Sequence, residues 1–260
     1  MKFSIITPSF NQGKYLSECI ESVLAQKEFL YEHIVIDAGS TDETFNVLKR
    51  YPHVQWISEP DQGMSDGINK GFLKAQGDWL MWLNCDDYLL QNALARVSDF
   101  ISNNPLADVV HGDCVYITEE GHRIRRKLDT SVDEFDLLYI GCIIPSTSTF
   151  YRRKIIDSGV ILSLNYKNCM DWEYYLRLIR LGYKFFYIPA ALAAFRWHAD
   201  STTQIHWERM KQEGLMAQRE HLAIRNYPHF LSTRLSLAFL RKIFQCRRVF
   251  KRIITHGCLR

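Results

Sequence analysis

The segment Trp79-Leu80-Met81-Trp82-Leu83 is apolar at every position, and Asn84-Cys85-Asp86-Asp87 follows it directly. A strand with no polar face must lie inside a sheet that is covered on both sides, which is the environment of a parallel α/β sheet. The preceding sequence agrees. Phe3-Ser4-Ile5-Ile6-Thr7 is a short apolar run closed by Pro8, and Tyr15, Leu16, Cys19, Ile20, Val23 and Leu24 then recur at helical spacing. His33-Ile34-Val35-Ile36-Asp37 repeats the run. Ser40 and Glu43, three apart, predict a capping box for a second helix. Val54 to Ser58 is a third expected strand and Ser65 to Ala75 a third helix. Strands alternating with helices predict an α/β fold, a Rossmann-like α/β/α sandwich.

Beyond Asp108 the pattern loosens. Strands are expected over Asp108 to Gly112 and Val115 to Thr118, with a turn at Glu119-Glu120-Gly121-His122. A helix is expected from Asp171 to Leu181, ended by Gly182, and then a last strand from Tyr183 to Ile188 that stops at Pro189. The sheet should therefore be mixed. The division that follows is a domain over 1–205, made of a donor-nucleotide half (1–110) and an acceptor half (111–205), with a basic helical tail over 206–260.

Parallel α/β sheets bind ligands beyond the carboxyl ends of their strands. After the first strand, Thr7-Pro8-Ser9-Phe10-Asn11-Gln12-Gly13 carries one glycine where a dinucleotide fold has three, which disfavours a nicotinamide dehydrogenase. Asp37 ends the second strand. It could hold ribose hydroxyls or a base edge, or it could tie nearby backbone amides, while Ser40 and Asp42 read as structural. Asp86 and Asp87 are the most informative pair, because no Lys or Arg lies between Lys74 and Arg96 to balance them. Two anions at the mouth of a buried strand invite a cation, and Mg2+ or Mn2+ shared with a diphosphate fits those oxygen ligands. Asp171-Trp172-Glu173 opens a helix. An aspartate there serves as an N-cap, as a general base, or as both. His198, after Phe195-Arg196-Trp197 in an expected loop, is a metal ligand or a surface histidine.

In this order the residues resemble glycosyltransferase family 2, the inverting enzymes of the GT-A fold, over roughly 1–203. Ser4 to Asn11 resembles the family's opening strand and loop, and Asp37 to Asp42 its second signature. Glu59-Pro60-Asp61-Gln62-Gly63 with Ile68-Asn69-Lys70-Gly71 resembles the third, Asn84 to Asp87 stands at the metal-binding DXD position, and Arg196-Trp197-His198 closes the series. The resemblance implies that Thr7, Pro8, Ser9, Asp37, Asp61, Gly63, Asn69 and Asn84 hold the donor. It further implies Asp86 and His198 on Mn2+ or Mg2+, and Asp171 as the base. Two positions depart from the pattern: Asn84 replaces the first Asp of DXD, and Met170 the common Glu before the base. The implied reaction is transfer of a sugar, most commonly from a UDP-sugar, to a hydroxyl of a glycan or lipid-linked oligosaccharide in surface polysaccharide synthesis. A sugar-1-phosphate nucleotidyltransferase and an inactive nucleotide- or glycan-binding module are the alternatives.

Charge is divided along the chain. From His221 to Arg260 there are nine Lys/Arg and no Asp/Glu, against 23 basic and 29 acidic residues before it. An acidic body excludes nucleic acid, and a basic tail seeks an anionic surface. Within 235–254, Phe239, Ile243, Cys246, Phe250 and Ile253 form one helical stripe, with Arg241, Arg248 and Arg252 opposite. This predicts an interfacial helix on anionic lipid in preference to one packed on the acidic body. Seven cysteines without a CxxC pair suggest neither zinc nor a disulfide framework. With no signal-peptide h-region and no run of 18 apolar residues, the expected location is cytoplasmic and peripheral.

Overall fold

The computed structural model describes residues 1–27, 29–199, 201, 205–225 and 234–257, with side chains from 236 in the last segment. Cys258 and Arg260, like the 226–233 part of the predicted tail, lie outside the described residues.

β1 (Lys2–Ser9), β2 (Leu30–Asp37), β3 (Gln55–Ser58) and β4 (Trp79–Trp82) form the parallel part of the sheet. All four β4 residues are buried, as their composition demands. Leu80 and Trp82 face one core with Phe72 and Tyr151, whereas Trp79 and Met81 face another with Phe3 and Phe150. α1 (Gly13–Leu24), α2 (Thr44–Leu48) and α3 (Met64–Lys74) cover the faces. The predicted capping box does not form. Asp42 does that work: its Oδ1 accepts from Thr44 N (3.0 Å) and Thr44 Oγ1 (2.6 Å), and its Oδ2 accepts from Gly13 N at 2.8 Å, which ties the starts of α1 and α2 together.

The remaining elements are β5 (Tyr88–Leu89), α4 (Ala93–Asn103), β6 (Val109–Ile117), β7 (Arg123–Lys127), α5 (Glu134–Ile140), β8 (Thr149–Arg152), α6 (Arg153–Asp157), α7 (Met170–Arg180) and β9 (Phe185–Arg196). The sheet runs β3-β2-β1-β4-β8-β6-β9-β5, with β7 paired to β6. It is mixed, since β8 is antiparallel to β4 and β6, whereas β9 runs parallel to β6.

Three expectations need correction here. The two strands expected over 108–118 are one, β6. β7 reads Arg-Ile-Arg-Arg-Lys and is exposed over most of its length, so it lacked the apolar signal of a strand. β9 does not stop at Pro189: Gly112 pairs with Ile188 and Asp113 with Ala191, so Pro189 sits in a bulge where its missing N–H is not required. Phe195 and Arg196 therefore end a strand and do not lie in a loop.

α8 (Trp207–Ile224) and α9 (Arg234–His256) follow. No helix among the described residues is long and apolar enough to cross a membrane. α9 presents its basic side to the body. Arg248 is buried against the carboxylate of Asp129, Arg247 pairs with Asp133 (2.8 Å) and Asp136 (2.5 Å), and Lys251 with Asp136 (2.8 Å). Leu237, Leu240 and Phe244 join the core there. The predicted stripe of Phe239, Ile243, Cys246, Phe250 and Ile253 faces outward. The helix thus packs on the acidic body while leaving an apolar face free.

Candidate active site

The carboxyl ends of β1, β2 and β4 meet at one edge, with Ser9 opposite Asp37 and Asp37 opposite Ser58. Asp37 is almost fully buried. Its Oδ2 accepts from Ser58 Oγ (2.6 Å), Ser40 N (3.0 Å) and Gly39 N (3.2 Å), and its Oδ1 from Ser40 Oγ. It ties its own loop, the second of its two sequence readings. Thr7 is also turned inward, its hydroxyl on His33 Nε2 at 2.9 Å. Pro8 lies beside α3. Asn69 is buried, and its amide clamps Leu162, donating to the carbonyl and accepting from N–H at 2.9 Å each. Asp61 Oδ1 receives Gly63 N at 2.7 Å, and Gly63 has a positive φ of 110° that shapes this loop. The side chains of Thr7, Asp37, Asp61 and Asn69 are all engaged in bonds within the protein.

The end of β4 is different. Asp86 Oδ2 lies 2.9 Å from His198 Nε2, joining residues 112 positions apart. Asn84 Oδ1 and His198 Nδ1 are both buried without a partner. Buried polar atoms left without a partner near a carboxylate are costly unless something binds there. Among the described residues no three His, Cys, Asp or Glu side chains converge as a ready metal cage. Two protein ligands suit Mg2+ or Mn2+, which are held by few carboxylates and complete their shell with water and substrate phosphates. The donor set therefore fits a divalent ion that arrives with a diphosphate.

Asp87 has a different task. It is 2% exposed, and its Oδ1 accepts the backbone N–H of Arg196 at 2.9 Å, fastening the end of β4 to the end of β9. Burial first, and then the charge of Asp86, push its carboxyl well above the usual range.

Arg196 is a buried hub. Its Nε donates to Asp86 O (2.9 Å), its Nη1 to Glu119 O (2.5 Å), and its guanidinium pairs with Glu18 and lies 5.0 Å over the Tyr15 ring. Tyr15 also packs 5.1 Å from the His198 ring, and its hydroxyl meets Glu119 at 3.1 Å. The sequence reading named Arg196 only as part of a motif and missed Glu18. The only signal for Glu18 is its place one helical turn after Lys14 and Tyr15.

Asp171 is not the helix N-cap. Cys169 is, and Asp171 lies in the first turn of α7, where the helix dipole favours its anion. Desolvation raises its pKa, against the opposing effects of the Cys142 thiol, the Trp172 N–H and the charge of Lys127. Cys142 Sγ donates to Asp171 Oδ2 at 3.2 Å, and Trp172 N donates to Oδ1 at 2.8 Å. A carboxylate whose pKa is raised is a stronger proton acceptor. Nothing in the sequence pointed to Cys142 or Lys127, because both reach Asp171 only through the fold.

A family model described as "Glycosyl transferase family 2" matches residues 4–160. A PGL/p-HBAD biosynthesis glycosyltransferase of Mycobacterium tuberculosis is 32% identical over 181 residues, 67% of this chain and 68% of its own. The putative teichuronic acid biosynthesis glycosyltransferase TuaG of Bacillus subtilis is 26% identical over 228 residues, 80% of this chain and 84% of its own. S. aureus TarS 1–349 in complex with UDP-GlcNAc superposes with a TM-score of 0.70 at 20% identity, covering 99% of this chain and 75% of that one. The mannosyltransferase PcManGT of Pyrobaculum calidifontis, in complex with GDP-Man and Mn2+, gives 0.65 at 14%, covering 98% and 73%. These likenesses show the fold, which is the GT-A arrangement expected from the sequence. The family model itself ends before Asp171 and His198.

Proposed function

The chain belongs to glycosyl transferase family 2, and from that premise we propose that it moves a sugar from a nucleoside diphosphate donor to an acceptor hydroxyl with inversion. In this reading the donor half (1–110) carries the nucleotide, the acceptor half (111–205) the attacking glycan, and the tail (206–260) the contact with a surface. Thr7, Pro8, Ser9, Asp37, Asp61, Gly63, Asn69 and Asn84 shape the donor pocket, most of them through backbone and loop geometry. Asp86 and His198 would hold Mn2+ or Mg2+, which when bound neutralises the departing diphosphate. Asp171 takes the proton of the acceptor hydroxyl as that oxygen bonds to the anomeric carbon. The bond from that carbon to the diphosphate oxygen breaks, and the nucleoside diphosphate leaves with the electron pair.

The observation that carries the proposal is the Asp86–His198 contact of 2.9 Å with two buried polar atoms left without a partner near it. The relatives named for PGL/p-HBAD biosynthesis and for teichuronic acid biosynthesis support a glycan or lipid-linked acceptor. The solved neighbours with UDP-GlcNAc and GDP-Man support a nucleotide-sugar donor, and the family resemblance makes a UDP-sugar the donor proposed. A thermal-shift screen against UDP, GDP, dTDP and CDP, each with Mn2+ or chelator, tests it. Saturating ligand at 100 times its Kd should add about 2.7 kcal/mol. Metal-dependent stabilisation by one nucleotide is expected, and no response to any would favour an inactive binding module.

The outward stripe of α9 supports peripheral contact with an anionic membrane on the cytoplasmic side, with Arg241 and Lys242 exposed near it. Co-sedimentation with vesicles containing phosphatidylglycerol should be lost when Phe239 and Phe250 are both changed to Asp. Retained binding would discard this contact.

A further inference from the structure

Among the described cations of the acceptor half, Lys127 is one that no carboxylate contacts directly. Lys127, at the end of β7, makes no hydrogen bond or ion pair among the described residues. It is half-buried, and its charge reaches both Cys142 and Asp171, lowering the pKa of each. Burial alone would lower its own pKa, but Tyr116, Cys114, Asp129 and Cys142 around it raise it on balance, so it stays protonated. Asp129, the nearby carboxylate, is already taken by Arg248 and by His111 at 3.0 Å. A partly desolvated ammonium that no carboxylate contacts directly leaves room for an anion to pair with it.

The strand register places an aromatic surface next to it. Cys114 is opposite Lys127 and Tyr116 opposite Arg125, while Tyr116 is also opposite Phe195. Since side chains alternate along strands, Lys127, Arg125, Tyr116, Phe195 and Trp197 share one side of the sheet. The rings touch: Tyr116 to Phe195 at 5.5 Å, Tyr116 to Trp197 and Phe195 to Trp197 at 6.3 Å. Arg125 lies 5.0 Å over Tyr116, and Trp197 is 43% exposed. A sugar ring has an apolar face of C–H groups and a rim of hydroxyls, so a half-wet aromatic surface is well matched to it.

We propose that this patch is the acceptor subsite and that it takes an acidic glycan, whose sugar ring lies on Tyr116, Phe195 and Trp197 and whose carboxylate or phosphate pairs with Lys127. The inference rests on the transferase reading and adds the acceptor's chemical class. Lys127 positions the acceptor hydroxyl toward Asp171 and takes no proton itself.

The test is calorimetric titration of the full chain with three probes: tetragalacturonate, its carboxyl-reduced neutral counterpart, and that neutral tetrasaccharide bearing one glycerol phosphate. A charge-assisted contact should give the acidic probe that fits about a tenfold lower Kd than the neutral one. The carboxylate and phosphate arms identify which acid is read. Lys127→Gln should erase the preference, Lys127→Arg should keep most of it, and Trp197→Ala should weaken acidic and neutral probes alike. Equal binding of all three probes, no binding of either acidic probe, or an unchanged preference in Lys127→Gln overturns the proposal. Metal-dependent stabilisation by a nucleotide, measured on the same samples, separates failure of this subsite from failure of the transferase reading.

Discussion

The segments 1–110 and 111–205, proposed above as donor and acceptor halves, share one sheet, but many of their carboxylates are held by different kinds of bond. In the donor half, carboxylates close their own loops: Asp37 binds Gly39, Ser40 and Ser58, and Asp42 binds Thr44 and Gly13. In the acceptor half, carboxylates wait for cations from far along the chain: Asp129 for Arg248, Asp133 and Asp136 for Arg247 and Lys251. These loops of the first half are set by contacts within it, whereas its Glu18, Asp86 and Asp87 are met by Arg196 and His198 from far along the chain. The second is bridged by the last helix, and α5, which that helix grips, leads directly to Cys142 beside Asp171.

If the halves divide the work as proposed, Asp171→Asn separates them most sharply. Turnover should fall by about a hundred- to ten-thousandfold, while the nucleotide-dependent thermal shift persists. Unaltered turnover would remove Asp171 from the chemistry. Next in size is Arg248→Met, which leaves Asp129 buried with one partner fewer. Urea unfolding should show a loss of about 3 kcal/mol, and a loss near zero would mean that the helix does not brace the acceptor half. Burial works to raise the pKa of Asp129, but His111, Arg248 and Lys127 hold it at about 2. Its contribution is therefore present above the ordinary carboxylate pKa and is lost as pH falls through about 2.

A smaller effect is expected on the donor side. Asp42→Ala removes a cap and an α1–α2 tie, and the same urea measurement should register about 1 kcal/mol. If that loss equals the Arg248→Met loss, the contrast between the halves fails. Last is Cys142→Ala, read in the pH profile of kcat/KM. The thiol donates to Asp171 and lowers a pKa that desolvation raises. Without it, that pKa rises further and the acidic limb of the profile moves to higher pH. A limb that stays in place would show that another group governs it.

The same contrast explains what could be read from the sequence. β4 was legible because full burial demands apolar residues at every position, and the carboxylates after it then stand out. β7 was not, since a charged edge strand carries no alternation, and Pro189 misled because a bulge removes the need for its N–H. The stripe on α9 was legible as a stripe. Its direction was not, because the sequence does not say that Asp129, Asp133 and Asp136 would gather to receive the opposite face. The family resemblance already implied Asp86 and His198 on one ion, and the return of β9 alongside β6 is what brings the two side chains to 2.9 Å.

The joining of Asp87 to Arg196 and of Asp86 to His198 also fixes an order of events during synthesis. When the first half of the chain has emerged from the ribosome, β1 to β4 can already pair, but the Asn84–Asp87 turn must wait about a hundred more residues for the strand that fastens it. Until then two carboxylates stand unrestrained at the edge of a formed sheet. A nascent chain stalled before residue 190 should resist protease through β4 and yet be unable to retain Mn2+ and nucleotide.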